Sequence, residues 1–476
     1  MIGITSYGAY VPLRRLGPET EGWGFPFEKA VGYYDEDSLT MAVAASLDCL
    51  GRSDRTRIDG FYFASATAPY KEKLTATTAA IACDLRDDIL TVDFSNSLRA
   101  GTAAIRTALD TVKAGSAGNL LVTAADCGRL GQARDTFDQN AADGAAAFVV
   151  GDKDVIATIE GAYSISNEML DIWRIDGGKY VRAWEDRFVM DEGYFRILPM
   201  AISSCMKKQN LELKEITKVI FYAPDRRRHA EMAKRLGLAP AQIQDALFGR
   251  MGNTGTAFCP MLLVAALEES KPGDTILLAN YGNGADILYL KVTENISKIK
   301  NHRGVRRNLD TKMIIPDYDN YLAYRHRPPD GSYYPPVRPS ASAILRERDF
   351  IFRLHGGRCK NCASIQYPPQ RICSRCKAKD SMEPVRLSDR KAKVFTFTLD
   401  NLAQIPAYDL PMVDTIINFA GGGRGCFQMT DRDPRRVKID MEVEMTFRKL
   451  HTSNEMNNYF WKCMPVREAS PTKEPK

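Results

Sequence analysis

The chain has 476 residues, 44% of them apolar and 26% charged, with a net charge of +6. That length predicts two or three domains with full cores, and the mild positive excess does not by itself call for nucleic acid. Eleven cysteines are too few and too scattered for a secreted disulfide scaffold.

The first residues, MIGITSYGAYVP, lack the basic region and long apolar run of a secretory signal. No stretch reaches the about 18 apolar residues of a membrane span. The expectation is a cytoplasmic protein with no membrane partner, its cysteines free or metal-bound.

Residues 1–295 read as alternating strands and helices. Apolar runs rich in Val, Ile and Phe predict strands at 61–64, 120–123, 146–150, 219–222, 276–279 and 287–292. Helices are predicted at 39–50, 102–113 and 261–269. Such alternation points to an α/β fold with a largely buried sheet.

An internal repeat runs through this part. GTAAIRTALDTVKAGSAGNLLVTAADCG, from Gly101, pairs with GTAFCPMLLVAALEESKPGDTILLANYG, from Gly255. Downstream, DGAAAFVVGD from Asp143 pairs with NGADILYLKV from Asn283; upstream, IDGFYFASATAP from Ile58 pairs with ITKVIFYAPD from Ile216. Three matched segments in one order predict a duplicated core with halves at 1–165 and 166–295.

Residues 296–345 break the pattern with NHRGVRRN and YRHRPPDGSYYPPVRPSAS, read as an extended connector laid over a surface. A helix is expected at 343–353, opening a module at 346–385. There Cys359, Cys362, Cys373 and Cys376 form C-x2-C-x10-C-x2-C. Two tight turns at that spacing can aim four thiolates at one ion, which favours zinc or iron. Four cysteine ligands leave no open position, so the expected Zn2+ is structural. Five short strands follow, at 393–399, 415–419, 425–430, 443–448 and 459–463, and predict a small β-barrel of the OB type over 386–468. The aromatic-plus-basic face for nucleic acid is not evident in it. Residues 469–476 read as a disordered tail.

The motifs GAYVP at Gly8, DEDSLTMAVAA at Asp35, RAGTAAI at Arg99, the Gly144-Ala145-Ala146 turn, FYAPD at Phe221, GNTGTA at Gly252 and NYGNGAD at Asn280 carry a resemblance. Over 1–295 the chain resembles the 3-hydroxy-3-methylglutaryl-CoA synthase family of the thiolase superfamily, especially its archaeal type. The C-terminal part is similar to the zinc-ribbon/OB proteins that accompany thiolase-like enzymes. The resemblance implies an α/β, duplicated thiolase-like fold (layered αβαβα), followed by a rubredoxin-like zinc ribbon and an OB-type barrel. It also implies an acyl-CoA thioester, with coenzyme A as part of the substrate, and a homodimer.

The family's catalytic positions are altered. Where it carries a Cys nucleophile before Lys-Ala-Gly-Thr, this chain has Leu98 before Arg99-Ala100-Gly101-Thr102. Where it carries a general-acid/base Glu, the segment reads Ala64-Ser65-Ala66-Thr67, and where it carries a His, Tyr222-Ala223-Pro224-Asp225. A leucine cannot form the acyl-enzyme that a thiolate forms. Cys259, near a helix start in the other half, is read as a small core residue.

The leading expectation is therefore a retro-aldol lyase on a 3-hydroxyacyl-CoA. Tyr222 would carry the proton if neighbours lower its pKa, and Asn253, which keeps the family's Asn, would hold the thioester oxygen. The first alternative is an acyltransferase or condensing enzyme with an atypical nucleophile, Ser97. The second is a non-catalytic acyl-CoA-binding scaffold. Tyr281 and Asn283 are further pocket candidates. Arg226, Arg227 and Arg228 are candidates for the phosphates of coenzyme A.

Overall fold

A computed structural model describes residues 1–51, 53–132, 135–299, 302–326, 340–403 and 405–467. Its contacts divide the chain into two units, Met1–Ala80 with Leu85–Arg325, and Ile81–Asp84 with His326–Lys476.

The first unit is built on nine strands: β1 (Gly3–Tyr10), β2 (Gly60–Ser65), β3 (Leu90–Ser95), β4 (Asn119–Asp126), β5 (Gly144–Gly151), β6 (Ala157–Ser166), β7 (Lys218–Phe221), β8 (Thr275–Tyr281) and β9 (Gly284–Val292). They are hydrogen-bonded in the order β7-β8-β9-β6-β1-β5-β4-β2-β3. In one half β2 is parallel to β4, and β4 is antiparallel to β5, which is antiparallel to β1. In the other, β7 is parallel to β8, β8 antiparallel to β9, and β9 antiparallel to β6. Each half thus repeats one strand plan, as the internal repeat requires. Within the sheet the halves meet where Gly3↔Thr158 and Ile4↔Ala157 link β1 to β6.

Every residue of β2 and β5 is buried. Both faces of those strands are covered, and their sequences are correspondingly apolar runs rather than alternations. Among the described residues, the first unit's helices of ten residues or more are α1 (Ser38–Leu50), α2 (Ala100–Lys113), α3 (Phe195–Gln209), α4 (Arg226–Arg235) and α5 (Phe258–Glu269). Residues 258–267 of α5 are all buried, and the helix packs on strands of both halves, β1 and β5 in one, β7 and β8 in the other. A helix apolar all round belongs in a layer between sheets.

The repeated Gly-Thr-Ala starts lie against each other. A Cβ on Gly101 would sit 2.9 Å from the Thr256 carbonyl oxygen and 3.0 Å from Pro260 Cγ. Gly255 has φ +62°, and a Cβ there would lie 2.3 Å from Asp126 Oδ2. Glycine is needed at both positions so that the two segments can approach.

Residues 302–325 depart from the extended connector expected of them. Gly304–Asp310 and Tyr318–His326 are helical, and Val305, Asn308, Ile315 and Tyr321 are buried. The aromatics anchor the segment, with Tyr318 stacked on Trp23 at 6.0 Å. Residues 300–301 and 327–339 of the expected connector, and the expected tail, lie outside the described residues. The helix expected at 343–353 is two short pieces, Ala341–Arg346 and Arg348–Ile351.

In the second unit, strands β10 (His355–Cys359), β11 (Ile365–Gln366) and β12 (Met382–Arg386) form a small sheet. Strands β13 (Ala392–Asp400), β14 (Met412–Phe419), β15 (Arg424–Met429), β16 (Glu442–Ser453) and β17 (Met456–Pro465) follow. They close into a barrel in the order β13-β14-β15-β17-β16, at the five places the sequence indicated. Closure removes the open edge that a five-stranded sheet would leave.

Candidate active site and candidate metal centre

A cavity of about 900 Å³ opens in the first unit, with Ala66, Ser97, Leu98, Arg129, Asp171 and Asn283 in its wall. Both halves of the duplicated core contribute. The turn after β3 brings Ser97 and Leu98, the turn between β8 and β9 brings Gly282 and Asn283, and Ala66 follows β2. Arg99 ties two of these turns together: its guanidinium donates to the Gly282 and Asn283 carbonyls and pairs with Asp286 at 2.8 Å. Asn280 Nδ2 donates to the Leu98 carbonyl at 3.1 Å.

Ser97 Oγ accepts the Arg99 backbone N–H at 3.1 Å. Among the described residues no carboxylate or imidazole hydrogen-bonds to it. Its hydroxyl stabilises the turn into α2 and has no base beside it to make it a nucleophile.

Tyr222, Tyr281 and Asn253 form a buried cluster. The Tyr222 and Tyr281 rings stack with centroids 6.3 Å apart. Tyr194 meets Tyr281 edge-on at 5.5 Å and donates from Oη to the Tyr222 carbonyl at 2.7 Å. Burial pushes the Tyr222 phenol up to about 12, against the opposing effect of the Arg129 charge. The lowered pKa that a proton-carrying Tyr222 requires is thus absent: the phenol is protonated at neutral pH and is not poised as a base, though it can donate a hydrogen bond. Asn253 Nδ2 donates to the Ala223 carbonyl at 3.0 Å and to Tyr222 Oη at 3.5 Å, while its Oδ1 accepts the Gly255 N–H at 2.9 Å. Its amide holds the Tyr222 loop and the Gly255 turn together. Asn283, at φ +48°, donates to the Met169 carbonyl at 3.4 Å.

The arginine run lies outside the cavity wall. Arg226 and Arg227 are exposed on the first turn of α4, and Arg228 is held by Asp225 and Asp186. Asp225 accepts the Arg228 N–H at 2.9 Å and so caps the helix.

Of three residues that the sequence reading did not single out, Arg129 and Asp171 stand in the cavity wall and Asp126 is buried behind Ser65, Ala66 and Thr67. Asp126, at the end of β4, accepts from Ser65 Oγ (3.0 Å), the Ala66 N–H (2.7 Å), Thr67 Oγ1 (3.1 Å) and the Thr256 N–H (2.8 Å). Arg129 is 4% exposed and lies over the Phe137 ring at 5.0 Å. Asp171 is buried; desolvation raises its carboxyl above the usual range, opposed by the Ile172 N–H and the Tyr281 phenol. None sits in a local motif, so no spacing signal could have grouped them.

The cysteines of the first unit are not poised for reaction. Cys259 lies within α5, fully buried, and burial raises its thiol well above the ordinary value. Cys127 is likewise raised by burial and then by Asp143.

In the second unit the Sγ atoms of Cys359, Cys362, Cys373 and Cys376 all lie within 4.8 Å of one another. Two of the pairs, Cys359–Cys376 and Cys362–Cys373, are 3.6 Å apart. Metal–sulfur bonds of about 2.3 Å at tetrahedral angles place sulfurs ~3.8 Å apart, so the set fits zinc. Two matching turns build it. The Ala363 N–H returns to the Cys359 carbonyl at 2.8 Å and the Lys377 N–H to the Cys373 carbonyl at 3.0 Å, with Ala363 and Lys377 left-handed at φ +57° and +61°.

Solved structures share the fold of the first unit. An HMG-CoA synthase crystallised with CoA matches with a TM-score of 0.61 at 16% identity, covering 69% of this chain and 91% of that one. A 3-oxoacyl-[acyl-carrier-protein] synthase III from Aquifex aeolicus matches with a TM-score of 0.55 at 21% identity, covering 61% and 100%. Residues 206–289 match the family model "3-Oxoacyl-[acyl-carrier-protein (ACP)] synthase III C terminal", and residues 352–383 match "ChsH2, rubredoxin-like zinc ribbon domain". The hydroxymethylglutaryl-CoA synthase of Methanopyrus kandleri is 34% identical over 343 residues, 68% of this chain and 97% of that protein. That of Methanocaldococcus jannaschii is 33% identical over 345 residues, 69% and 99%.

The chain belongs to the hydroxymethylglutaryl-CoA synthase family, here fused to a zinc ribbon. These relatives are named as synthases. They support the condensing-enzyme alternative, and they lend no support to the retro-aldol lyase expected first.

Proposed function

We propose that this chain is an acyl-CoA-dependent condensing enzyme that joins carbon to carbon without an acyl-enzyme on cysteine. The observation that carries this reading is the cavity in whose wall stand Leu98 and Ala66, the residues at the family's nucleophile and carboxylate positions. With no thiolate there, the acyl group stays on coenzyme A. The α-carbon of one thioester gives up a proton to the Asp171 carboxylate in the cavity wall, which desolvation makes more basic than an ordinary carboxylate, and adds to the carbonyl carbon of an acceptor. The acceptor oxygen then takes a proton or, where the acceptor is itself a thioester, coenzyme A leaves as its thiolate. Tyr222 serves as the hydrogen-bond donor to the oxygen on which charge develops, with Asn253 holding it in place.

The exposed Arg226 and Arg227 remain for the phosphates of coenzyme A. Zinc, held by Cys359, Cys362, Cys373 and Cys376, supplies a structural cross-link and no reaction step. The working form is a homodimer, as in the family the chain resembles.

The test incubates the purified full chain with pairs of acyl-CoA thioesters and follows carbon–carbon products by mass spectrometry, together with intact protein mass. Product without an acylated protein is expected. A covalent acyl group mapped to Ser97 would establish the other reading, in which Ser97, beside Leu98 in the cavity wall, is the nucleophile. Thioester binding with no product from any pair would sink both readings in favour of a binding protein.

A further inference from the structure

Arg129 is the unexplained charge of the cavity. It follows β4, is 4% exposed, and lines the cavity with Ala66, Ser97 and Leu98. A Cβ built on Gly255 would lie 2.9 Å from its Nη1, which sets the guanidinium against the turn that Asn253 holds. Its charge also acts on the Tyr222 phenol. Arg129 therefore stands beside the residues at the family's Glu, His and Asn positions. Among the described residues it makes no ion pair and no hydrogen bond; its one partner is the Phe137 ring. The Asp126 carboxylate lies against the same Gly255 turn, its oxygens engaged by four neutral donors.

A second guanidinium lines the same cavity. Arg174 Nη2 donates to the Ala66 carbonyl at 2.9 Å. Its pKa is lowered by desolvation and then by the charge of Arg129. The two guanidiniums act on each other in one cavity wall, with the Asp126 charge opposing that effect at Arg174. Arg129 has no hydrogen-bond acceptor among the described residues, and the planar fork of a guanidinium matches a carboxylate with two parallel hydrogen bonds. A neutral acyl chain would leave that fork without an acceptor.

We infer that the acyl-CoA taken by this cavity carries a free carboxylate on its acyl group, and that Arg129 binds that carboxylate with Arg174 in support. This rests on the reading of the chain as an acyl-CoA enzyme, and it names the substrate class.

The test measures binding, not turnover. Succinyl-CoA and butyryl-CoA share a four-carbon acyl chain and differ in a terminal carboxylate against a methyl. By calorimetry on the full chain, succinyl-CoA is expected to bind about ten- to hundredfold more tightly, the range of a charged hydrogen-bond pair. Arg129→Gln removes the preference, and a thermal midpoint close to that of the wild-type chain reports an intact fold. Arg129→Lys keeps part of the preference. Equal affinity for the two thioesters in the wild-type chain overturns the inference, and so does a preference that survives Arg129→Gln. If the wild-type chain binds neither thioester, the acyl-CoA reading falls and takes this one with it, a pattern distinct from binding both equally.

Discussion

The two units use cysteine in opposite ways. In the second unit four thiols within 18 residues of sequence converge through two matching turns onto a point, within 4.8 Å of one another. In the first unit the cysteines are packed as small apolar groups; Cys259 is sealed in α5 and its thiol is raised by burial. At the position where related enzymes are expected to keep a reactive thiol stands Leu98. One unit thus carries a ligand set, and the other layers of apolar packing around a cavity whose polar groups come from both halves of the duplicated core.

The largest expected effect lies at the ligand set. Cys373→Ser, or a strong chelator, should unfold the ribbon. The loss is several kcal/mol, about 3–5 by comparison with other lost metal sites and staples. Zinc content and limited proteolysis of the second unit report it, while the apolar core of the first unit keeps its thermal midpoint. Concerted melting of both units would break the comparison.

Gly255→Ala is the counterpart in the first unit. It forces a side chain into a left-handed position and against Asp126 Oδ2, 2.3 Å from the new Cβ. A destabilisation of about 3 kcal/mol is expected in denaturant titration, with zinc content unchanged.

His229 gives the packed unit a pH signature. It stacks on Phe221 at 4.3 Å, and burial lowers its pKa to about 4, with Asp245 opposing. A group whose folded pKa lies below its unfolded value contributes stability above about pH 6.5. That stability is lost as pH falls toward 4, on the order of 2 kcal/mol. Urea midpoints at pH 7 and 4.5 should differ by that amount, and His229→Phe should flatten the difference.

The smaller effects concern rates. Tyr222→Phe should lower kcat by roughly 10- to 100-fold, the range for one lost donor to a developing charge, with acyl-CoA affinity retained. Because the phenol is held up to about 12, its deprotonation should add no limb to the rate profile below about pH 10. Leu98→Cys alone should gain no acyl adduct by mass spectrometry, since Tyr222 is no base; Leu98→Cys with Tyr222→His should gain one.

What the sequence made legible follows from how local each feature is. The ribbon was readable because two C-x2-C turns carry their own geometry. The duplicated core was readable because strands buried on both faces are unbroken apolar runs, and because Gly101 and Gly255 mark the close approach of two equivalent segments. Strand β1 was missed: GITSYGAY mixes small and polar residues and is buried by its neighbours, not by its own hydrophobicity. Helix α3 was missed as well; Pro199 interrupts its pattern, and neighbouring layers stabilise it. The connector expectation failed at 302–325 because aromatic residues read as surface features are the anchors that bury the segment. Arg129, Asp126 and Asp171 escaped because they gather only when both halves have folded; on the page they are an isolated arginine and two ordinary aspartates.

The placement of β1 bears on how the chain is made. It is synthesised before the other eight strands of its sheet, yet it sits fifth of the nine, between β6 and β5. Its Gly3 pairs with Gly151 and its Tyr10 with Ala145, so every cross-strand bond awaits more than a hundred further residues. At ~5–20 residues per second a ribosome takes roughly 7–30 s to supply them. Throughout that interval nascent β1 presents an unpaired β-edge, and the closing of the first half around it is a step whose speed is set by translation and by long-range search. Slowing elongation between β1 and β5 should therefore lengthen the window for chaperone capture, whereas pauses after residue 166 fall once β1 has both its neighbours.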